Sequence, residues 1–201
     1  SNVSLTLKRL RFPGHSVGFR ELVDGSRVID TPVSVNFDMR EESETSGNEA
    51  ILFSDIIEAP GHRASMNVLT RQRLCEAFEV EPGELIDILS WAMVNPSEPV
   101  MIDSRKAPVL DNSMVEPDLL GIPIPWHYSE DGGRYQSASI IIAQYGGIRN
   151  TSFHRQLVKA KDSTCVRLVP RHLRTMVNVA QEENDAVSYT HLRAHETLLY
   201  L

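Results

Sequence analysis

Cysteine is scarce. The chain of 201 residues has only Cys75 and Cys165. There is no CxxC pair, so neither a disulfide framework nor a thiolate zinc site is available, which fits a reducing cytosol. Cys75 falls in an apolar helical pattern and Cys165 in a strand, and both are expected to be small buried hydrophobes. No apolar run approaches the roughly 20 residues that span a bilayer. The opening SNVSLTLKRLRF lacks the apolar core of a secretory signal, and because residue 1 is Ser1 the true start is expected to be missing. Runs of Lys and Arg are also absent, and the formal charge is −7. That balance argues against nucleic acid and against an anionic membrane as partners. No internal repeat at solenoid spacing is present.

What is there is a soluble globular composition, 41% apolar and 23% charged. Residues 17–23 (VGFRELV) read as a short helix stopped at Asp24-Gly25. Residues 27–37, broken by Pro32, read as irregular extended chain, and 38–48 (DMREESETSGN) as a mobile acidic loop. AILFSDI (50–56) and MNVLT (66–70) read as strands. Thr70 caps a helix running through Phe78. Pro82-Gly83-Glu84 opens a second helix, whose Leu85, Ile86, Leu89, Ala92 and Met93 recur at helical spacing. Six prolines between 96 and 126 mark an ordered crossing. HYSEDGGRY (127–135) is a polar loop. From 136 the period becomes two. SASIIIAQY (137–145), the Gly146-Gly147 turn and IRNTSFHRQLVKA (148–160) form a hairpin. TCVRLV (164–169) follows as a third strand, and 171–184 as a helix. The fold class is α+β: an N-terminal mixed α/β domain over 1–105, a proline-rich crossing over 106–126, and an antiparallel sheet from 127 onward.

Strand 148–160 and the strand-to-helix corner 167–172 carry Asn150, Ser152, His154, Arg155, Arg167, Arg171 and His172, and are expected in one neighbourhood. An asparagine oxygen with a histidine nitrogen suits a divalent ion, but two ligands are too few, so a carboxylate must come from elsewhere. The arginines suit phosphate or carboxylate, held bidentately.

The segments PIPWHYSEDGGRYQSASIIIA, IRNTSFHRQLVKAKD and VRLVPRHL resemble the UbiD family, the reversible decarboxylases that use prenylated FMN. The resemblance covers roughly residues 15–185 and is specific in 123–173. It implies a split β-barrel that carries the flavin, of which 127–186 would be the first part. It implies that Asn150 and His172 ligate a divalent metal, usually Mn2+, with K+ as a further candidate ion, that bridges to the cofactor phosphate. Ser152, Phe153, His154, Arg155, Arg167, Leu168 and Val169 fall where the family contacts its cofactor. Arg155 matches the catalytic arginine that orients the substrate carboxylate. A flavin prenyltransferase as cofactor supplier, a small aromatic or unsaturated acid as substrate, a homo-oligomeric state and a cytoplasmic location are implied in the same way.

Three points stand against a simple transfer. The family's third metal ligand and its acid/base carboxylates lie beyond the matching region, so this chain by itself is expected to be an inactive fragment. VSYTHLRAHET does not look like a continuation of the family, and 187–201, with His191 and His195, is set aside as a non-native tail. Finally, residues five apart on a regular strand face opposite ways. Asn150 and Arg155 share a cofactor only if the strand bends, bulges or starts after Asn150. Without the resemblance, Asn150 is a turn-adjacent hydrogen bonder, His172 an exposed helix-start histidine and Arg155 a solvated strand charge. His127 and Trp126 either line a pocket or pack, and Glu130, Asp131 and Arg134 read as turn chemistry. The rival readings are a truncated, non-catalytic module that binds a flavin phosphate or a partner, and an ordinary FMN-binding oxidoreductase.

Overall fold

The computed structural model describes residues 19–96, 98, 100–107, 110 and 115–185, and the backbone of 188–193. The start of the 17–23 helix and residues His15, Pro99, Pro108 and His195 lie outside the described residues. In chain order the elements are α1 (Phe19–Val23), β1 (Arg27–Ile29), α2 (Asp38–Thr45), β2 (Ile51–Phe53), β3 (Ala64–Met66), α3 (Arg71–Phe78) and α4 (Leu85–Val94). After the crossing come β4 (Tyr135–Tyr145), β5 (Ile148–Ala160), β6 (Ser163–Val166), α5 (His172–Glu182) and β7 (Ser188–Arg193).

The first unit is a three-stranded sheet in the order β1-β2-β3, parallel between β1 and β2 and antiparallel between β2 and β3. Its core gathers Ile29, Val33, Val35, Met39, Ile51, Phe53, Ile56 and Ala59. The acidic 38–48 stretch is helical rather than a loop. Met39 is buried, Asp38 accepts from the Ser34 amide, and Arg40 bridges one turn to Glu44, so a single apolar anchor and local charge pairing suffice. The second strand sits at 64–66 rather than 66–70, because Asn67 takes a positive φ of 60° and ends the pairing. Thr70 caps α3 as its sequence implies, accepting from the Arg73 amide.

The expected apolar face of α4 divides. Leu85 and Ile88 are buried with Cys75 and Val80, whereas Ile86, Leu89 and Met93 are exposed. Hydrophobic spacing reports helicity, not which stripe is covered.

The crossing is tied to both units. Trp126 exchanges backbone hydrogen bonds with Val35 and Phe37, and its ring lies 5.3 Å from that of Phe37. Packing is therefore the role of Trp126. Glu58 accepts from Ser34 Oγ, the Val35 amide and Asn36 Nδ2. Partial burial pushes its carboxyl up, but the Ser34 and Val35 donors and the nearby Arg134 charge outweigh that and hold it below the usual glutamate range. A depressed folded value means that Glu58 stabilises the fold above the unfolded glutamate range and stops doing so as pH falls through the folded value. Glu58→Gln should therefore lower stability at pH 7 and flatten the acid limb of the stability–pH profile, read by chemical denaturation between pH 7 and 3.

The second sheet runs β6-β5-β4-β7, all antiparallel. Gly146 and Gly147 both take positive φ, 55° and 79°, as a two-residue hairpin requires. Residues 188–193, left outside the fold by the sequence reading, pair with 139–144 of β4. One face of the sheet is covered by α5, whose Leu173 and Met176 pack on Ile141 and Ala143. Tyr145 donates to Glu183 just past the helix end, which pushes the phenol up to about 12.

Candidate functional site

β5 alternates with period two, and its pairing decides which residues share a side. Asn150 pairs with Ala143, Ser152 with Ile141 and His154 with Ser139, so these three lie on the face that α5 covers. All three are partly buried, while Thr151 and Phe153 between them and Arg155 just after them are exposed. Asn150 Nδ2 donates to Ser152 Oγ at 3.1 Å, and Ser152 Oγ lies 2.9 Å from His154 Nε2. Asn150 Oδ1 has no hydrogen-bond partner among the described residues. A hard divalent cation takes such an oxygen.

Arg155 is on the other face. Its guanidinium stacks 4.9 Å over the Tyr135 ring, and among the described residues it makes no ion pair. Tyr135 was missed by the sequence reading, which began the strand at 137. The signal was an aromatic in phase with the alternation two residues before it. Phe153, 72% exposed, shares this open face with Ile140 opposite. The neighbouring Asp131-Gly132-Gly133 turn packs on the same face. Gly133 has φ of 135°, and a Cβ there would lie 3.3 Å from Leu157 Cδ1. Gly133→Ala should cost about 1–2 kcal/mol of stability, measured by urea denaturation, since it adds a steric contact to a strained backbone.

None of the three ways of bringing Asn150 and Arg155 together is realised. β5 begins at Ile148, before Asn150. Between Asn150 and Arg155, β5 has no extra residue. The irregular step there lies in β4, where Ser137 and Ala138 stand between the Gln136–Gln156 and Ser139–His154 pairs, opposite Arg155. The irregular step of β5 itself comes only at Lys159, against β6. The structure thus joins Asn150, Ser152 and His154 and leaves Arg155 on the opposite face. Arg167 and Val169 are exposed in the link from β6 to α5, and Leu168 packs against the α5 cluster. Arg171 is the residue before α5 and His172 its first, both exposed. Among the described residues no hydrogen bond connects Asn150, Ser152 or His154 to Arg167, Arg171 or His172, and no group of three His, Cys, Asp or Glu could hold a metal.

Arg134 is not turn chemistry. Its guanidinium donates to the carbonyls of Leu120, Ile122 and Ile124, gripping the crossing. A further cluster was unforeseen. Gln136 and Gln156 are buried opposite each other, their oxygens accepting from Ser139 and Thr164.

Residues 100–191 match the family described as the 3-octaprenyl-4-hydroxybenzoate carboxy-lyase Rift-related domain, UbiD. The chain belongs to the UbiD family. This UbiD segment is 33% identical over 162 residues to an anhydromevalonate phosphate decarboxylase of Methanosarcina mazei, covering 79% of this chain and 36% of the relative. It is 30% identical over 170 residues to the same-named enzyme of Aeropyrum pernix, covering 83% and 37%. The chain therefore spans little more than a third of the length of these curated relatives. Its fold superposes with a TM-score of 0.78 on an evolved dimeric form of a UbiD-class enzyme from Pelotomaculum thermopropionicum, solved with prFMN, at 23% identity and covering 89% of this chain and 45% of that one. It superposes with 0.76 on vanillic acid decarboxylase of Sedimentibacter hydroxybenzoicus, at 17% identity and covering 87% and 42%. The UbiD chain shares with these structures an α+β fold, here with helices, one mixed sheet and one antiparallel sheet. Among the described residues no helix is long and apolar enough to cross a membrane.

Proposed function

We propose that the chain supplies part of the cofactor and metal site of a non-oxidative decarboxylase that uses prenylated FMN and a divalent metal, Mn2+ in the first instance. The observation that carries the reading is the Asn150 amide within the UbiD-matched segment. Its NH2 is engaged by Ser152, and its oxygen has no partner among the described residues. That donor suits a hard cation, and His172 is the second candidate ligand. The described residues contain no carboxylate cluster to complete the shell, so the third ligand and the acid/base carboxylates are not assigned among them.

The flavin's contribution, when bound, is an electron sink for the pair left as CO2 departs. The chain's own residues bind and orient. Arg155, stacked on Tyr135 and without an ion pair among the described residues, presents a fork that suits a carboxylate. It does so on the face of β5 opposite Asn150, so this role requires the substrate to reach round the strand from the metal side. Ser152, Phe153, His154, Arg167, Leu168 and Val169 are the proposed cofactor contacts. The names of the two curated relatives favour an unsaturated acid that carries a phosphate over a plain aromatic acid. A flavin prenyltransferase as cofactor supplier and a homo-oligomeric assembly are part of the same reading.

The test is to express the whole reading frame that contains this segment with a flavin prenyltransferase, and to follow CO2 release from anhydromevalonate phosphate and from vanillate. Release from the first, falling by about 100-fold or more in Arg155→Ala, is expected, since Arg155 would be an electrostatic anchor at the reacting carboxylate. Undiminished turnover in that variant would remove Arg155 from its role. Turnover by residues 1–186 alone would show that no further carboxylates are needed.

A further inference from the structure

The metal reading of Asn150 requires that its oxygen, not its NH2, face outward, and the residues behind it decide which does. Asn150, Ser152 and His154 are alternate residues of one strand, joined at 3.1 Å and 2.9 Å through a single hydroxyl. A serine hydroxyl has one proton to give and lone pairs to receive. The chain of hydrogen bonds therefore has two directions. With Nε2 of His154 bare, the hydroxyl donates to it, accepts from the asparagine NH2 and leaves Oδ1 outward. With the imidazole proton on Nε2, that nitrogen donates to Ser152. The hydroxyl proton then has only the asparagine to go to among the described residues, so Oδ1 turns inward and the NH2 outward. A cation is bound by the first arrangement and repelled by the second.

Resting on the proposed metal role of Asn150, we propose that Ser152 and His154 are positioning residues: a relay that, with the imidazole proton on Nδ1, turns the Asn150 oxygen outward to receive a divalent cation. Ser152 Oγ is the hinge of the relay and His154 Nε2 sets its direction. This differs from a backbone contact to the cofactor, because it assigns the two side chains and the tautomer of one of them.

The relay separates variants that a merely structural role would not. Ser152→Ala removes the hinge, and Ser152→Thr keeps the hydroxyl. His154→Phe removes the acceptor and frees the hydroxyl to turn Asn150 over. His154→Gln places an amide oxygen near the position of Nε2. The readout is Mn2+ binding to the whole reading frame that contains this segment, which supplies the ligands these residues lack, followed by loss of the free-ion electron paramagnetic resonance signal up to millimolar Mn2+. Outer partners of metal ligands typically govern affinity by 10–100-fold, so Ser152→Ala and His154→Phe should weaken binding by about tenfold, while Ser152→Thr and His154→Gln stay close to the parent. If Asn150→Ala weakens Mn2+ binding but Ser152→Ala and His154→Phe do not, the relay is wrong and the metal role of Asn150 stands. If Asn150→Ala binds like the parent, both are wrong. A second measurement needs no metal. The imidazole 15N shifts of His154 in the labelled chain should show a protonated Nδ1 and a bare Nε2, and the opposite tautomer would overturn the relay.

Discussion

Phe53→Ala is expected to lower stability by about 4 kcal/mol, the range for truncating a buried aromatic, and the melting temperature by about 12 °C. Phe53 ends the central strand of the first sheet and is wholly buried among Ile29, Val33, Val35, Met39, Ile51, Ile56 and Ala59. Its neighbour across the ladder is Ala64 and another contact in the cluster is Ala59. Both are too small to move into the space the ring would leave, so the cavity persists and its cost adds to the lost transfer energy. Phe53→Leu keeps most of the volume and should cost less than half as much. Differential scanning calorimetry checks both. A loss under about 1 kcal/mol for the alanine variant would mean that the strands collapse onto the gap, which the shortness of β1 and β3 around it argues against.

Arg134→Leu should cost about 3 kcal/mol, because hydrogen bonds from a charged donor contribute about 1.5–3 kcal/mol and the carbonyls it abandons lose their partners. The guanidinium donates from Nε to Ile124 at 2.9 Å and from its terminal nitrogens to Leu120 at 3.1 Å and Ile122 at 2.6 Å. Prolines flank this segment and supply no N–H, so the crossing has few means of its own to hold shape. Burial disfavours the charge on Arg134, while Glu58 and Asp118 favour it, and the net effect lowers its affinity for the proton without removing it. Arg134→Lys should recover less than half of the loss, since a compact ammonium does not reach three carbonyls as a planar fork does. Thermal denaturation gives the magnitude. Proteolysis should locate the first cleavage between 115 and 126 in the leucine variant. Unchanged protection there would show that the ties at Leu119 and Trp126 hold the crossing without the guanidinium.

The elements most readable from the sequence were those with a local cause. The hairpin at Gly146-Gly147 needs positive φ at two successive residues, and glycine supplies it. β5 appeared over 148–160 because its alternation is long and bounded by turns. Thr70 announced α3 by its hydroxyl. The stretch 38–48 misled because acidic residues and glycine resemble a solvated loop. Its helix forms because Met39 reaches a core assembled from residues on either side in sequence. Likewise Ile86, Leu89 and Met93 share the helical period of Leu85 and Ile88, and period alone does not say which stripe meets a partner.

The site divides in the same way. Residue identity placed an amide, a hydroxyl, an imidazole and a guanidinium on one strand, and spacing by two put Asn150, Ser152 and His154 on one side. Those facts follow from strand geometry and belong to the sequence. Which side α5 would cover, that Tyr135 would lie under Arg155, that Gln136 would meet Gln156, and that the irregular step beside Arg155 would fall in β4 rather than β5 were decided by strand register. Register depends on contacts between segments distant in the chain, and each of those contacts is fixed only when the whole sheet and its helix pack together.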